Sequence, residues 1–304
     1  MTSTDAAQLL RPKLSIPGAV SRGLAGLWRC RGMLFPIYLA NLLTAVFALL
    51  PFYLALHRLT AHRPVAERLT HAWDLEVLAE LVMDNPDLVA QLKGLFVFVP
   101  IGYLLVNQLL IGGVLGALAR LERPSPRSFG GDALSHFTGL LWVLLCSALP
   151  YALAGGALGL GVMLATDSSW PVKLLCALPG MLLLCFVDAA LDFARVETVT
   201  GPGRWAVKRL LYGFWAVLKR PLAAAAIHVG FGLLWLIPLA VWLVLPDSLD
   251  AGGSAAVLLA FLLRQIVVLL RVAIRVGSLG SHMALYFAIF EGSSLRSEPD
   301  SAQP

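Results

Sequence analysis

The chain has 304 residues, of which 59% are hydrophobic and only 13% are charged. A water-soluble domain carries about 25% charged residues, so this chain has too few polar side chains to cover a surface in water. The net charge is +5, and the basic residues stand in short runs between apolar segments. That placement favours a lipid bilayer with anionic phospholipid headgroups over nucleic acid as the partner.

Six apolar stretches are long enough to cross the hydrocarbon core, which needs about 20 helical residues. They lie at residues 33–56, 94–119, 138–165, 171–192, 222–246 and 254–290. Prolines inside them do not argue against spans, because transmembrane helices tolerate proline. The sequence therefore predicts an all-α polytopic protein with a six-helix membrane domain over residues 18–291.

Lys and Arg are divided unevenly between the two sides of these spans. Fifteen lie on the side of the two termini, and five lie on the other side. Cytoplasmic segments carry the excess of basic residues, so we expect both termini in the cytoplasm. The N-terminal residues lack a cleavage site, so the first span is expected to be an uncleaved anchor.

Three of the segments outside the spans have a composition that predicts their structure. Residues 1–17 and 292–304 are rich in Ser, Pro, Ala and charge, a composition that predicts disorder. Residues 57–93 form the one sizeable segment on the outer side. Within it, residues 64–82 follow an amphipathic helical pattern, which predicts an extracytoplasmic helical loop.

An internal repeat runs through the chain. The sequence AVSRGLAGLW at residues 19–28 recurs as AVKRLLYGFW at residues 206–215, an offset of 187 residues. The same offset pairs Asn41 with His228 and Pro51 with Pro238. A second correspondence joins the ends of the even-numbered spans, at residues 118–122, 193–197 and 287–291. We therefore expect three successive hairpin repeats, each led by an interfacial amphipathic helix.

The segments that lead the repeats have an apolar stripe with basic residues beside it. Val20, Leu24 and Trp28 share one helical face, and residues 206–215 repeat the pattern. Such a helix lies in the headgroup plane with its apolar face toward the acyl chains. It serves either as a juxtamembrane anchor or as a collar that binds anionic phospholipid headgroups.

Charged and polar residues inside spans are candidate functional residues, because each charge costs about 2.5–3.5 kcal/mol on insertion scales. The candidates are Asp188, Asp192, Arg271, Arg275, His282 and Asn107. Each pair of like charges is four residues apart, so the carboxylates of the fourth span can face the guanidinium groups of the sixth. We expect a polar seam between the even-numbered spans. Ion pairs that lock the hairpins, an anionic headgroup site and a proton path all remain open as its role.

Catalytic and metal motifs are not evident in the sequence. The run Gly277–His282 reads GSLGSH, which suggests an intramembrane serine protease, but the G-x-S-G of rhomboid proteases is missing. The outer histidines, His57, His62 and His71, match no metal-ligand spacing. We therefore expect no catalytic residue, no cofactor and no metal, and a protein that is not an enzyme.

One known group shares part of this pattern. Residues 192–196, DFARV, followed by AVKR at 206–209 and a new span, resemble a loose group of bacterial six-span membrane proteins. That group includes the YciC-like proteins and the membrane domain of some glycerophosphoryl diester phosphodiesterases. The resemblance covers about residues 18–291 and implies the bacterial cytoplasmic (inner) membrane. The hydrolase barrel of the phosphodiesterases has no counterpart here, so no phosphodiesterase activity is implied.

Two functional hypotheses follow. The first is a non-enzymatic integral membrane protein that binds lipid or a membrane-protein partner in a structural role. The alternative is a transporter of a small or lipid-like anion that uses the intramembrane Arg and Asp residues.

Overall fold

The computed structural model describes residues 15–60, 83, 86–120, 123–249 and 254–294, and every regular element in that part of the chain is helical. This confirms the all-α prediction there. The helices are α1 Ile16–Arg29, α2 Leu34–Thr60, α3 Pro86–Ala119, α4 Pro126–Leu164, α5 Trp170–Thr200, α6 Ala206–Lys219, α7 Pro221–Leu249 and α8 Ser254–Ser294. A 3-10 turn, Arg31–Met33, joins α1 to α2.

Five helical stretches in the described residues are long and apolar enough to cross a membrane. They are Arg31–Pro51 in α2, Lys93–Ala119 in α3, Pro126–Leu164 in α4, Trp170–Thr200 in α5 and Pro221–Val241 in α7. Helix α8 is not among them. Its 41 residues are long enough, and they include Arg264, Arg271 and Arg275. The sixth crossing stays a prediction.

Large apolar side chains dominate the exposed surface of these helices. Phe47, Phe98 and Met163 are each more than 70% exposed, and Trp142 and Leu175 are also exposed. A monomer in water rarely leaves so many large apolar side chains uncovered. Acyl chains solvate such side chains without penalty, so the exposed surface supports the prediction of a membrane protein.

Local signals in the sequence set several helix starts. The Ser15 hydroxyl accepts a hydrogen bond from the amide of Gly18 (3.3 Å), and Pro17 fits the first turn of α1. Ser125 and Ser128 cap the start of α4 reciprocally. Helix α1 thus begins two residues inside the segment 1–17 that was expected to be disordered. Helix α8 likewise continues to Ser294, into the expected tail 292–304.

The chain divides into two compact units. The second unit, Pro36–Gln108, contains most of α2 and the larger part of α3. Pro51 and Pro100 lie inside its helices without ending them. The rings of Tyr53 and His57 stack with centroids 5.9 Å apart, one turn from each other on α2.

The first unit consists of residues 1–35 and 109–304. Its core lies where α4, α5 and α6 meet, around Val143, Leu191, Ala194 and Leu210. Helices α1 and α8 form a second extensive contact, and α7 packs along α8. The polar residues described below lie between these helix pairs.

Three close approaches in the first unit depend on glycine. Gly23 of α1 lies against α8 near Ser281, Gly116 of α3 lies against Asp132 of α4, and Gly213 of α6 lies against Ala190 of α5. A methyl group at any of the three would overlap its neighbour. Small residues permit this proximity of helices in lipid.

The predicted helix over residues 64–82 lies outside the described residues. So do residues 1–14 and 295–304 of the segments expected to be disordered.

Candidate functional site

Asp192 is the centre of a charged cluster in the first unit. Its carboxylate is fully buried on α5. Arg275 of α8 donates two hydrogen bonds to it, from Nη1 to Oδ2 (3.0 Å) and from Nη2 to Oδ1 (2.8 Å). Arg195, three residues along α5, donates a third to Oδ1 at 2.8 Å. Two guanidinium groups therefore hold one carboxylate, in the bidentate geometry that Arg favours.

Asp188 lies one turn before Asp192 and has different partners. The Tyr151 hydroxyl of α4 donates a hydrogen bond to its Oδ1 at 2.5 Å. The Nε2 atom of His228, on α7, lies 3.4 Å from its Oδ2. The Asp188 side chain is 40% exposed, whereas that of Asp192 is not exposed at all. Asp188 therefore links α4, α5 and α7 at the open edge of the cluster.

His282 is fully buried on α8 beside Asp192. Its Nδ1 donates a hydrogen bond to the carbonyl oxygen of Ser278 (2.9 Å), which places the proton of the neutral ring on Nδ1. Its Nε2 is buried with no hydrogen-bond partner among the described residues. The ring packs edge-on against Phe193 and His228, with centroids 5.2 Å and 6.1 Å away.

The Ser278 hydroxyl lies 3.5 Å from the same Nδ1 atom. Because Nδ1 already carries a proton directed at the Ser278 carbonyl, it cannot accept one from the hydroxyl. This geometry does not activate Ser278 as a nucleophile.

Three side chains of this cluster carry atoms that can ligate a metal ion. Ligand atoms of Asp192, His228 and His282 lie within 4.8 Å of one another. However, the Asp192 oxygens already accept hydrogen bonds from Arg275 and Arg195. A cation would have to displace or face two guanidinium groups, so this set of residues fits a metal poorly.

A second buried carboxylate, Glu197, lies near the end of α5. Arg204 donates a hydrogen bond to its Oε1 at 2.7 Å, and the Tyr286 hydroxyl of α8 donates to its Oε2. Arg204 also lies 3.9 Å above the Tyr212 ring of α6. Glu197 thereby ties α5, α6 and α8 together near the basic loop 201–205.

Four of the six candidates from the sequence lie together in the first unit: Asp188, Asp192, Arg275 and His282. Arg271 does not join them, because its guanidinium lies over the Trp235 ring, 4.7 Å from the centroid. Asn107 is half-buried in the second unit.

Sequence reasoning did not assign a role to Tyr151 or His228. Both are polar residues within apolar spans, and that property alone could have marked them as candidates. The internal repeat also pairs His228 with Asn41, so both copies have a polar residue at this position of an apolar span, and this could have marked His228 as a candidate.

The contacts of the cluster mainly join helices. Its hydrogen bonds and charge contacts connect α4, α5, α7 and α8. Two of its charged groups, Asp188 and Arg275, are about two-fifths exposed, with Arg275 at 39%. These two are the groups that could meet a ligand.

No family model matches this chain, and no curated protein or solved structure matches it either. The resemblance to the six-span bacterial group therefore stays a prediction.

Proposed function

We propose that this chain is a six-span integral protein of the bacterial cytoplasmic membrane with a non-catalytic role, structural and lipid- or partner-binding. The observation that carries the proposal is the bonding of Asp192 by Arg275 and Arg195. These charged side chains of α5 and α8 bind each other and so join the two helices. An anionic ligand at Arg275 would have to compete with a buried carboxylate.

The surfaces of α1 and α6 support a lipid-binding role. Positions related by the 187-residue offset have the same surroundings: Gly26 and Gly213 are buried, whereas Trp28 and Trp215 are exposed. Each helix therefore packs through a small-residue face and leaves an aromatic, basic face uncovered. That combination suits the level of the lipid headgroups.

The contacts that each leading segment makes with another hairpin support three repeats. The start of α4 packs on the end of α3, α6 packs on the end of α5, and α1 packs on α8. If α1, the start of α4 and α6 each lead one hairpin, each leading segment contacts the end of the preceding hairpin. The first leading segment, α1, has no preceding hairpin and instead contacts α8 of the last one.

Native mass spectrometry of the protein released from mild detergent tests this proposal. We expect the wild-type protein to retain anionic phospholipid, a second membrane protein, or both. Retention of neither under conditions that preserve the fold would contradict a lipid- or partner-binding role.

The alternative is transport of a small or lipid-like anion. The exposure of Arg275 and Asp188 favours it, because a transport site must be open to its substrate. The variant Arg275→Leu separates the two functions. A structural cluster predicts loss of the folded protein, whereas a transport site predicts normal folding with loss of anion uptake into proteoliposomes.

A further inference from the structure

A cavity of about 430 Å³ lies where α1 ends, beside the connection between α3 and α4. Its lining includes Trp28, Arg29, Arg31, Gly32, Arg123 and Pro124. All of these belong to the first unit. Three arginines therefore surround one cavity on the side of the membrane that the distribution of basic residues assigns to the cytoplasm.

The carboxylates of the described residues do not neutralise these arginines. Among the described residues, no acidic side chain forms an ion pair with Arg29, Arg31 or Arg123. Like charges that share one site repel each other, so an anion within the cavity stabilises all three.

Arg29 is positioned by the protein itself. Its Nη2 donates a hydrogen bond to the Leu118 carbonyl oxygen (3.0 Å) at the end of α3. Its Nε is buried and has no hydrogen-bond partner in the described part of the chain. A buried donor without a partner is rare, because it costs about 1–3 kcal/mol. Arg29 is thus held in place at the wall of the cavity, with its Nε buried inside the wall.

Trp28 indicates which kind of anion the cavity takes. Its ring is 70% exposed, and the guanidinium of Arg31 lies 4.8 Å from the ring centroid. An exposed tryptophan beside arginine is typical of the headgroup level of a bilayer. A soluble anion gains no favourable contact from that apolar ring, whereas the glycerol and upper acyl region of a lipid can pack against it.

We propose that this cavity binds the phosphate of an anionic phospholipid through Arg29, Arg31 and Arg123, with Trp28 against the lipid's glycerol region. This rests on the proposed lipid-binding function and names one site for it. Guanidinium groups match phosphate oxygens in geometry and charge.

The test compares two double variants that each remove two positive charges. The first, Arg31→Gln with Arg123→Gln, removes two exposed arginines of the cavity. The control, Lys93→Gln with Lys173→Gln, removes two basic residues that lie outside the cavity and outside α1, α6 and the start of α4. Native mass spectrometry then measures retention of phosphatidylglycerol and phosphatidylcholine, with and without added inorganic phosphate.

We expect the wild-type protein to retain phosphatidylglycerol in preference to phosphatidylcholine. Loss of one charge-assisted contact weakens binding by about tenfold or more, so the cavity variant should lose its most tightly held phosphatidylglycerol. The control should keep it. Equal retention by the two variants, or equal retention of the two lipids by the wild type, would overturn the site. Displacement of the lipid by inorganic phosphate at equal concentration would also overturn it, because the site would then be one for a free anion.

A glycine substitution provides an independent variant. No atom lies within 4 Å of a Cβ added to Gly32, so Gly32→Glu puts a negative charge at the cavity without a clash. Gly203 is equally open and does not line the cavity, so Gly203→Glu is the control. Gly32→Glu should lose phosphatidylglycerol, and Gly203→Glu should not; equal retention would again overturn the site.

The outcomes distinguish this site from the broader proposal. If the wild type retains neither lipid nor partner, the proposed function fails. If the wild type and all variants retain phosphatidylglycerol alike, only the assignment of this cavity fails.

Discussion

Arg275 of α8 and Asp192 of α5 are 83 residues apart in the chain and form a bidentate ion pair with N–O distances of 2.8 and 3.0 Å. The carboxylate is inaccessible to solvent and also binds Arg195. Buried pairs of this kind contribute little net stability when complete, but removal of one partner leaves an uncompensated charge.

We expect Asp192→Asn to destabilise the folded protein strongly. The change leaves two guanidinium groups without a counter-charge, at a cost of about 3–5 kcal/mol. Thermal melting in detergent, followed by size-exclusion chromatography, measures the loss of folded protein. Asp167 is exposed in the turn between α4 and α5, so Asp167→Asn should leave the melting temperature unchanged. Similar melting of the two variants would refute the central role of Asp192.

Arg271 and Arg275 should respond differently to the same substitution. Arg275→Leu leaves Asp192 with one arginine fewer. Arg271→Leu removes only a contact over Trp235, worth about 0.5–2 kcal/mol. We therefore expect the melting temperature to fall much further for Arg275→Leu. If Arg271→Leu proves the more damaging change, Arg271 has a role that its contact with Trp235 does not explain.

A methyl group at Gly213 should disturb the packing of α6 on α5. The added carbon would overlap the Ala190 carbonyl group, and overpacking of this kind costs about 1–3 kcal/mol. Gly230 of α7 has no atom within 4 Å of an added Cβ, so Gly230→Ala is the matched control. Urea unfolding followed by tryptophan fluorescence compares the two. Equal stability would show that α6 can shift without cost.

Cys30, at the end of α1, should react slowly with maleimides in the folded protein. Burial raises the pKa of its thiol, and the neighbouring Arg29 offsets only part of that effect. The thiol also donates a weak hydrogen bond to the Ala117 carbonyl at 3.7 Å. A raised pKa leaves little thiolate at pH 8, and the labelling rate should climb only as the pH rises toward that pKa.

Mass spectrometry of labelled peptides measures the Cys30 reaction. The same protein unfolded in dodecyl sulfate serves as the control, because its Cys30 is no longer buried. Labelling at pH 8 that is as fast in the folded protein as in the unfolded one would contradict the buried position.

The predicted topology can be tested with added cysteines. With both termini inside, Asp167→Cys lies outside the cell membrane and Gly203→Cys lies in the cytoplasm. A membrane-impermeant maleimide applied to intact spheroplasts should label the first and not the second, above the background of the four natural cysteines. Lysed spheroplasts should give labelling of both. The reverse pattern would invert the orientation.

Hydropathy predicted the helices better than it predicted their ends. The fourth span was expected at residues 171–192, but α5 continues to Thr200. Hydropathy reports which residues tolerate hydrocarbon, whereas a helix continues as long as its side chains find partners. Arg195 and Glu197 find theirs within the protein, so the last turns of α5 stay helical.

The pairing of the charges was only partly predictable. The spacing of Asp188, Asp192, Arg271 and Arg275 indicated that carboxylates of α5 could face guanidinium groups of α8, and Arg275 does bind Asp192. It could not show that Asp188 would turn toward Tyr151 and His228, or that Arg271 would lie over Trp235. Those contacts depend on how α4 and α7 are placed around α5 and α8, and no local sequence pattern encodes that placement.

The contact of α1 with α8 has a consequence for biosynthesis. Gly23 packs against residues 277–281, which the ribosome makes about 250 residues later. Until α8 is made, the part of α1 around Gly23 therefore lacks its partner. A chain cut short before α8 would leave that part of α1 open to proteases of the membrane.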